Sequence, residues 1–89
     1  MKVKLELFGA SRDLSDKEFL EFNVEKKISI KDFKKKIISY VDEKFKGNEN
    51  YKKIIETSAF CSEDNNIISE NYKITKDQKI GIIPPIGGG

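Results

Sequence analysis

The sequence contains no histidine and no tryptophan, one cysteine (Cys61), one arginine (Arg12) and two prolines. Each shortage removes a class of chemistry. Without histidine there is no Cys–His catalytic pair, no imidazole general base and no zinc site of the usual type, so no metal centre is expected. A lone cysteine forbids an intramolecular disulfide. Set between Ala59 and Phe60 on one side and a turn on the other, Cys61 reads as a small strand hydrophobe and not as a sulfur relay. Base-reading sites lean on arginine, and one arginine argues against specific nucleic-acid binding. The 17 basic and 15 acidic residues are interspersed and leave a net charge of +2, which gives no strong polyanion-attracting field. No apolar run approaches the roughly 18 residues of a membrane span, and no secretory signal precedes the first strand pattern. No membrane partner is expected, and the cytoplasm is the expected compartment.

What is present fits one small domain of 89 residues. Val3, Leu5 and Leu7 alternate with Lys2, Lys4 and Glu6, the signature of a half-buried strand. A polar loop follows, over residues 9–17. Leu20, Phe22 and Val24 then alternate with Glu21 and Asn23, which predicts a second strand and a hairpin with a long connection. Ser29 and Asp32 read as the N-cap and N3 of a capping box. Phe33, Ile37, Val41 and Phe45, flanked by Ile30 and Ile38, form one apolar stripe on a helix that Gly47 stops. Lys34, Lys35 and Lys36 read as its solvated side. Tyr51, Ile54 and Ile55 suggest a short helical turn, 58–61 a third strand, and Ile67-Ile68 a short returning strand after the turn at 63–66. Residues 79–83 form the last strand, ended by Pro84 and Pro85, which cannot donate ladder hydrogen bonds. This order predicts an α+β fold: a mixed sheet with one main helix packed on one face, the first and last strands adjacent and parallel at its centre.

The chain ends Pro84-Pro85-Ile86-Gly87-Gly88-Gly89. Residues 1–83 are expected to form the domain and residues 84–89 a flexible C-terminal Gly tail. Six extended residues span about 20 Å. Glycine lacks a Cβ, so such a tail can thread a slot too narrow for other residues. Its terminal carboxylate is a poor electrophile. Adenylation would make it a reactive acyl group for a sulfur or amine nucleophile.

A strand hairpin, a capped helix, short strands and a last strand running into Gly-Gly resemble the β-grasp order of ubiquitin-like proteins. The ending Ile80-Gly81-Ile82-Ile83-Pro84-Pro85-Ile86-Gly87-Gly88-Gly89 is similar to that of the small subunit of molybdopterin synthase, the MoaD family: apolar strand, Pro-Pro, one apolar residue, one small residue, Gly-Gly. The opening Leu7-Phe8-Gly9-Ala10-Ser11-Arg12-Asp13-Leu14 also looks like that family's start. The chain departs from compact members over residues 47–57, where it is longer. The resemblance implies a sulfur carrier that is not an enzyme by itself. Gly89 would carry the acyl-adenylate and then the thiocarboxylate, next to Gly88. Gly87, Ile86, Pro85 and Pro84 would give the tail access to its partners. No cofactor would be bound; ATP would be used by an adenylyltransferase of the MoeB or ubiquitin-activating type. A sulfurtransferase would supply sulfur, and a MoaE-like large subunit would complete a heterotetrameric synthase that builds molybdopterin from a pterin precursor. The alternative is a ubiquitin-like protein modifier, or a tRNA-thiolation carrier, joined through Gly89 to lysines.

Strand parity then locates a surface. If Val3, Leu5, Leu7, Ile80 and Ile82 face the helix, Phe8 and Ile83 share the uncovered face, and Ile67 could extend the patch. An exposed apolar cluster beside a reactive tail reads as a partner interface, and in the resembling family such a patch docks both the activating enzyme and the large subunit. The competing expectation is that residues 47–57 fold over it.

Overall fold

The computed structural model describes residues 1–85. Strand β1 (Lys2–Leu7) leads into a 3-10 helix, Gly9–Leu14, and returns as β2 (Phe19–Asn23). Then come β3 (Ile28–Ser29), α1 (Ile30–Lys44), α2 (Glu49–Thr57), β4 (Ala59–Cys61), β5 (Ile67–Ile68), β6 (Lys73–Ile74) and β7 (Gln78–Ile83). Five strands form one mixed sheet in the order β2-β1-β7-β4-β5, and β3 pairs with β6 in a separate two-stranded ladder. The first and last strands lie side by side and parallel, Leu5 against Ile80 and Leu7 against Ile82. The hairpin register sets Val3 against Phe22 and Leu5 against Leu20.

That register decides the core. Val3, Leu5, Leu7, Phe60, Ile80 and Ile82 all point to one face and are buried there against Ile30, Phe33, Ile37 and Val41 of α1. Each such side chain contributes about 1.5–3 kcal/mol when fully buried. Helix α1 begins where its sequence says. The Ser29 hydroxyl accepts from the Asp32 N–H at 3.1 Å. The next orphan donors are met by the chain before β6: the Ile30 N–H donates to the Tyr72 carbonyl and the Lys31 N–H to the Glu70 carbonyl. At the other end, Lys46 and Gly47 both adopt positive φ, 53° and 70°, and turn the chain into α2.

Three elements go beyond the sequence expectation. The loop after β1 contains the 3-10 helix, whose Ser11 and Leu14 are buried. The segment expected as a helical turn is a nine-residue helix capped by Asn48, whose side chain accepts from the Tyr51 N–H at 3.1 Å. The β3–β6 ladder is two residues long. Helix α2 packs beside α1. Ile55 is fully buried in the common core, and a series of edge-to-face rings runs from Phe22 through Tyr40 and Phe45 to Tyr51. Residues 47–57 therefore lie on the helix side of the sheet and do not cover its other face.

Candidate functional site: the open face of the sheet and the root of the tail

The side chains that alternate with the core residues point away from both helices. Across the sheet, Ile67 of β5 pairs with Cys61 of β4, Cys61 with Gly81 of β7, Gly81 with Glu6 of β1, and Glu6 with Phe19 of β2. One row thus crosses all five strands on the open face, and Ile83 of β7 lies beside Ala59 in the row next to it. Phe8 follows Leu7 with an extended backbone, φ −122° and ψ 152°, and so turns its ring to the open side.

Among the described residues, three large apolar side chains are exposed: Phe8 at 41%, Ile67 at 67% and Ile83 at 36%. Strand parity assigned Phe8 and Ile83 to the uncovered face and offered Ile67 as an extension of the patch. Polar groups border them. The Lys79 amine stands 3.4 Å from a Glu6 carboxylate oxygen, and the Lys4 amine lies 5.0 Å from the centroid of the Phe19 ring. The Arg12 guanidinium lies 3.9 Å from Glu18 on the surface, a spacing and exposure at which an ion pair adds little. Lys2, Lys4, Glu63, Asp77, Gln78 and Lys79 line a shallow recess farther along the same face.

Phe8 is held by its own loop. The Ser11 hydroxyl, fully buried, donates to the Phe8 carbonyl at 2.6 Å and accepts from the Phe8 N–H at 3.0 Å. The Ser11 N–H donates to the same carbonyl at 3.1 Å. Gly9 follows at φ +54°, where a side chain is strained, and a Cβ there would lie 3.8 Å from the Pro84 ring. Pro84 is itself buried, whereas Pro85 is exposed. The apolar cluster and the root of the tail are thus joined through one turn, Phe8-Gly9. Ile86, Gly87, Gly88 and Gly89 lie outside the described residues.

Sequence reading missed two members of this site, Ser11 and Gly81. A Cβ built on Gly81 would come within 2.7 Å of Cys61 Sγ, closer than real Cβ atoms come, and within 3.1 Å of Phe8 Cε2, a tight contact that the ring would have to yield to. An isolated glycine in a strand signals such a close approach, so Gly81 carried a usable sign. Ser11 carried none, being one of several polar residues in a polar loop. Cys61 is buried, as its strand setting suggested. Among the described residues, no group of three or more His, Cys, Asp or Glu is placed to hold a metal ion, and no helix is long and apolar enough to cross a membrane.

The arrangement is one seen before. SAMP1 from Haloferax volcanii superposes on the whole of this chain and the whole of its own with a TM-score of 0.70 at 10% identity. A candidate molybdopterin converting factor, subunit 1, from Pyrococcus furiosus aligns over 96% of this chain and 98% of its own, with a TM-score of 0.69 at 20% identity. The chain has the ubiquitin-like β-grasp fold. No family model and no curated protein matches it in sequence. At these identities the likeness establishes the β-grasp architecture, and function has to be argued from the site.

Proposed function

We propose that this β-grasp protein is the sulfur-carrier small subunit of a molybdopterin synthase. The observation that carries the reading is the joining of an exposed apolar cluster to the root of a glycine-ended tail. Phe8, Ile67 and Ile83 stand uncovered on the open face, and Phe8 connects through Gly9 to Pro84. A partner that seats on this cluster receives the chain beyond Pro85 in a fixed direction. Pro84-Pro85 keeps that chain from continuing the sheet. The three glycines of the sequence end carry no bulky side chain, which suits entry into a narrow channel of the partner. The likeness to the Pyrococcus furiosus candidate supports the same reading.

The chemistry follows from the carboxylate. In an adenylating partner, an oxygen of the Gly89 carboxylate attacks the α-phosphorus of ATP and pyrophosphate departs. Hydrosulfide delivered by a sulfurtransferase attacks the acyl carbon, AMP departs, and loss of the proton leaves a thiocarboxylate. The loaded tail enters the large subunit of the synthase, and its sulfur passes to a pterin precursor. This chain supplies sulfur and a docking surface; the acid–base groups belong to its partners, and the compartment is the cytoplasm.

The test is the intact mass of the protein after incubation with the cell's adenylating enzyme, ATP and a sulfur source. The expected product is heavier by one sulfur-for-oxygen exchange at Gly89. An unchanged mass under conditions that load a known carrier overturns the reading. A second reading, a modifier joined through Gly89 to lysines, uses the same activated tail and draws on the likeness to SAMP1. Covalent adducts of this chain detected on a blot of cell extract would favour it.

A further inference from the structure

The open face of β7 carries an unusual gap. Gly81 sits at the centre of the sheet, in a strand otherwise built of large residues, and two side chains from distant parts of the sequence close over it. Cys61 Sγ approaches from β4, and the Cδ2–Cε2 edge of the Phe8 ring approaches from the end of β1. Phe8 is 41% exposed, yet Cys61, on the same outward face, is only 7% exposed. The edge of the Phe8 ring thus borders the thiol across the bare backbone of Gly81, and the same ring is part of the apolar cluster. Its backbone has no freedom to adjust, because the buried Ser11 hydroxyl engages both the Phe8 N–H and the Phe8 carbonyl.

We infer that Gly81 and Ser11 are positioning residues for the docking surface: the bare backbone of Gly81 is the seat of the Phe8 ring, and Ser11 is the clamp that keeps the ring in it. A side chain at position 81 meets the thiol and the ring together and lifts the ring from the strand. Loss of the Ser11 hydroxyl leaves the part-buried Phe8 N–H without its partner and frees the turn. In either case Phe8 presents a different outline beside Ile83, and the turn through Gly9 that bears on Pro84 shifts with it.

The seat can be read without any partner, through the thiol beneath it. A cysteine reacts with an aromatic disulfide reagent only when reached, so labelling of Cys61 in the folded protein reports how often the ring leaves. Phe8→Ala sets the fully uncovered rate. Gly81→Val and Ser11→Ala should each label about tenfold faster than the natural protein, which corresponds to about 1.4 kcal/mol of lost seating. Ser11→Ala is the cleaner variant, since the Ser11 hydroxyl bonds the Phe8 backbone while a side chain at position 81 meets the thiol itself. Ile37→Val, in the core on the opposite face, lowers stability without touching the seat and should leave the labelling rate unchanged. Labelling of folded Ser11→Ala and Gly81→Val at the natural rate overturns the inference, as does equal acceleration in Ile37→Val.

The docking half of the inference rests on the sulfur-carrier reading, and affinity for the adenylating enzyme and the large subunit tests it separately. Faster labelling together with weaker binding supports it. Faster labelling with undiminished binding removes Gly81 and Ser11 from the docking role. If the natural protein itself binds neither partner, the sulfur-carrier reading fails while the labelling result still decides the seat.

Discussion

The same strands of one sheet carry two faces built by opposite rules. On the helix side, Val3, Leu5, Leu7, Phe60, Ile80 and Ile82 are buried and alike, a layer of branched and aromatic side chains closed by α1 and α2. On the other side the residues are unlike one another: charged at Lys4, Glu6 and Lys79, absent at Gly81, small at Cys61, large and uncovered at Phe8, Ile67 and Ile83. The first face is explained by folding alone. The second is not, because folding gives no reason to leave three large apolar groups in water near the point where the chain leaves the sheet.

The sharpest way to break that contrast is to exchange the penalties. Phe33→Ala, at the centre of the helix-side core, should cost about 3–5 kcal/mol of stability by the usual cost of emptying a buried aromatic site. For a domain this small that approaches complete unfolding. Removing Gly88 and Gly89 should do the reverse, with the melting temperature unchanged and sulfur loading abolished. Gly88→Val should behave alike, because a branched side chain blocks a narrow channel and stiffens the backbone. Thermal melting and intact-mass loading, measured on the same samples, check both. A truncated chain that still accepts sulfur would end the assignment of the chemistry to the tail.

Next in size is the open face itself. Phe8→Asp or Ile83→Asp should weaken binding to the adenylating enzyme and to the large subunit by about 2 kcal/mol or more if either residue is a hot spot. Both side chains are partly solvated already, so melting should change much less than binding. Calorimetry with each partner checks this. Undiminished affinity for both, in a folded variant, would move the docking site elsewhere. Cys61→Ala should have a smaller effect still. It removes one buried sulfur at a cost of about 1 kcal/mol of stability, a typical value for a single substitution, and leaves sulfur loading at the natural rate. A folded Cys61→Ala protein that cannot be loaded would make the thiol a participant.

The two faces also differ in how much of them the sequence revealed. The helix side was legible because its rule is periodic: Val3-Leu5-Leu7 and Ile80-Ile82 have period two, and Phe33-Ile37-Val41 has the spacing of a helix. Parity then placed Phe8 and Ile83 on the other side without any coordinates, with Ile67 as an extension of the patch. What escaped had no period to show. The 3-10 turn is held by one buried hydroxyl on one backbone, β3 and β6 are two residues each, and α2 has only Tyr51, Ile54 and Ile55 to mark its stripe. The seat of Phe8 on Gly81 joins residues far apart in the chain, and only the parallel pairing of β1 with β7 brings them together.

The smallest expected effect lies on the helix side, and it tests whether charge contributes there at all. The Lys34 amine, mostly covered, stands 2.9 Å from Glu70 Oε1 and 5.5 Å from the centroid of the buried Phe60 ring. Glu70 sits beside the N-terminus of α1, where its own carbonyl accepts from the Lys31 N–H. The hydrogen bond from Lys34, followed by the charge of Lys34, holds the Glu70 carboxyl below its ordinary value of 4.5. A carboxyl depressed in the folded state binds its proton more readily in the unfolded chain, so stability rises with pH through this range. Its contribution is fully present above pH 4.5 and is lost as the pH falls through the lowered folded value. The carboxylate faces solvent, so the gain is small and screened by salt. Glu70→Gln should therefore melt almost with the natural protein at pH 3 and slightly below it at pH 7, the gap narrowing in high salt. No gap at either pH would mean that the ion pair adds nothing measurable, and that Glu70 supports α1 only through its backbone carbonyl, which this substitution leaves in place.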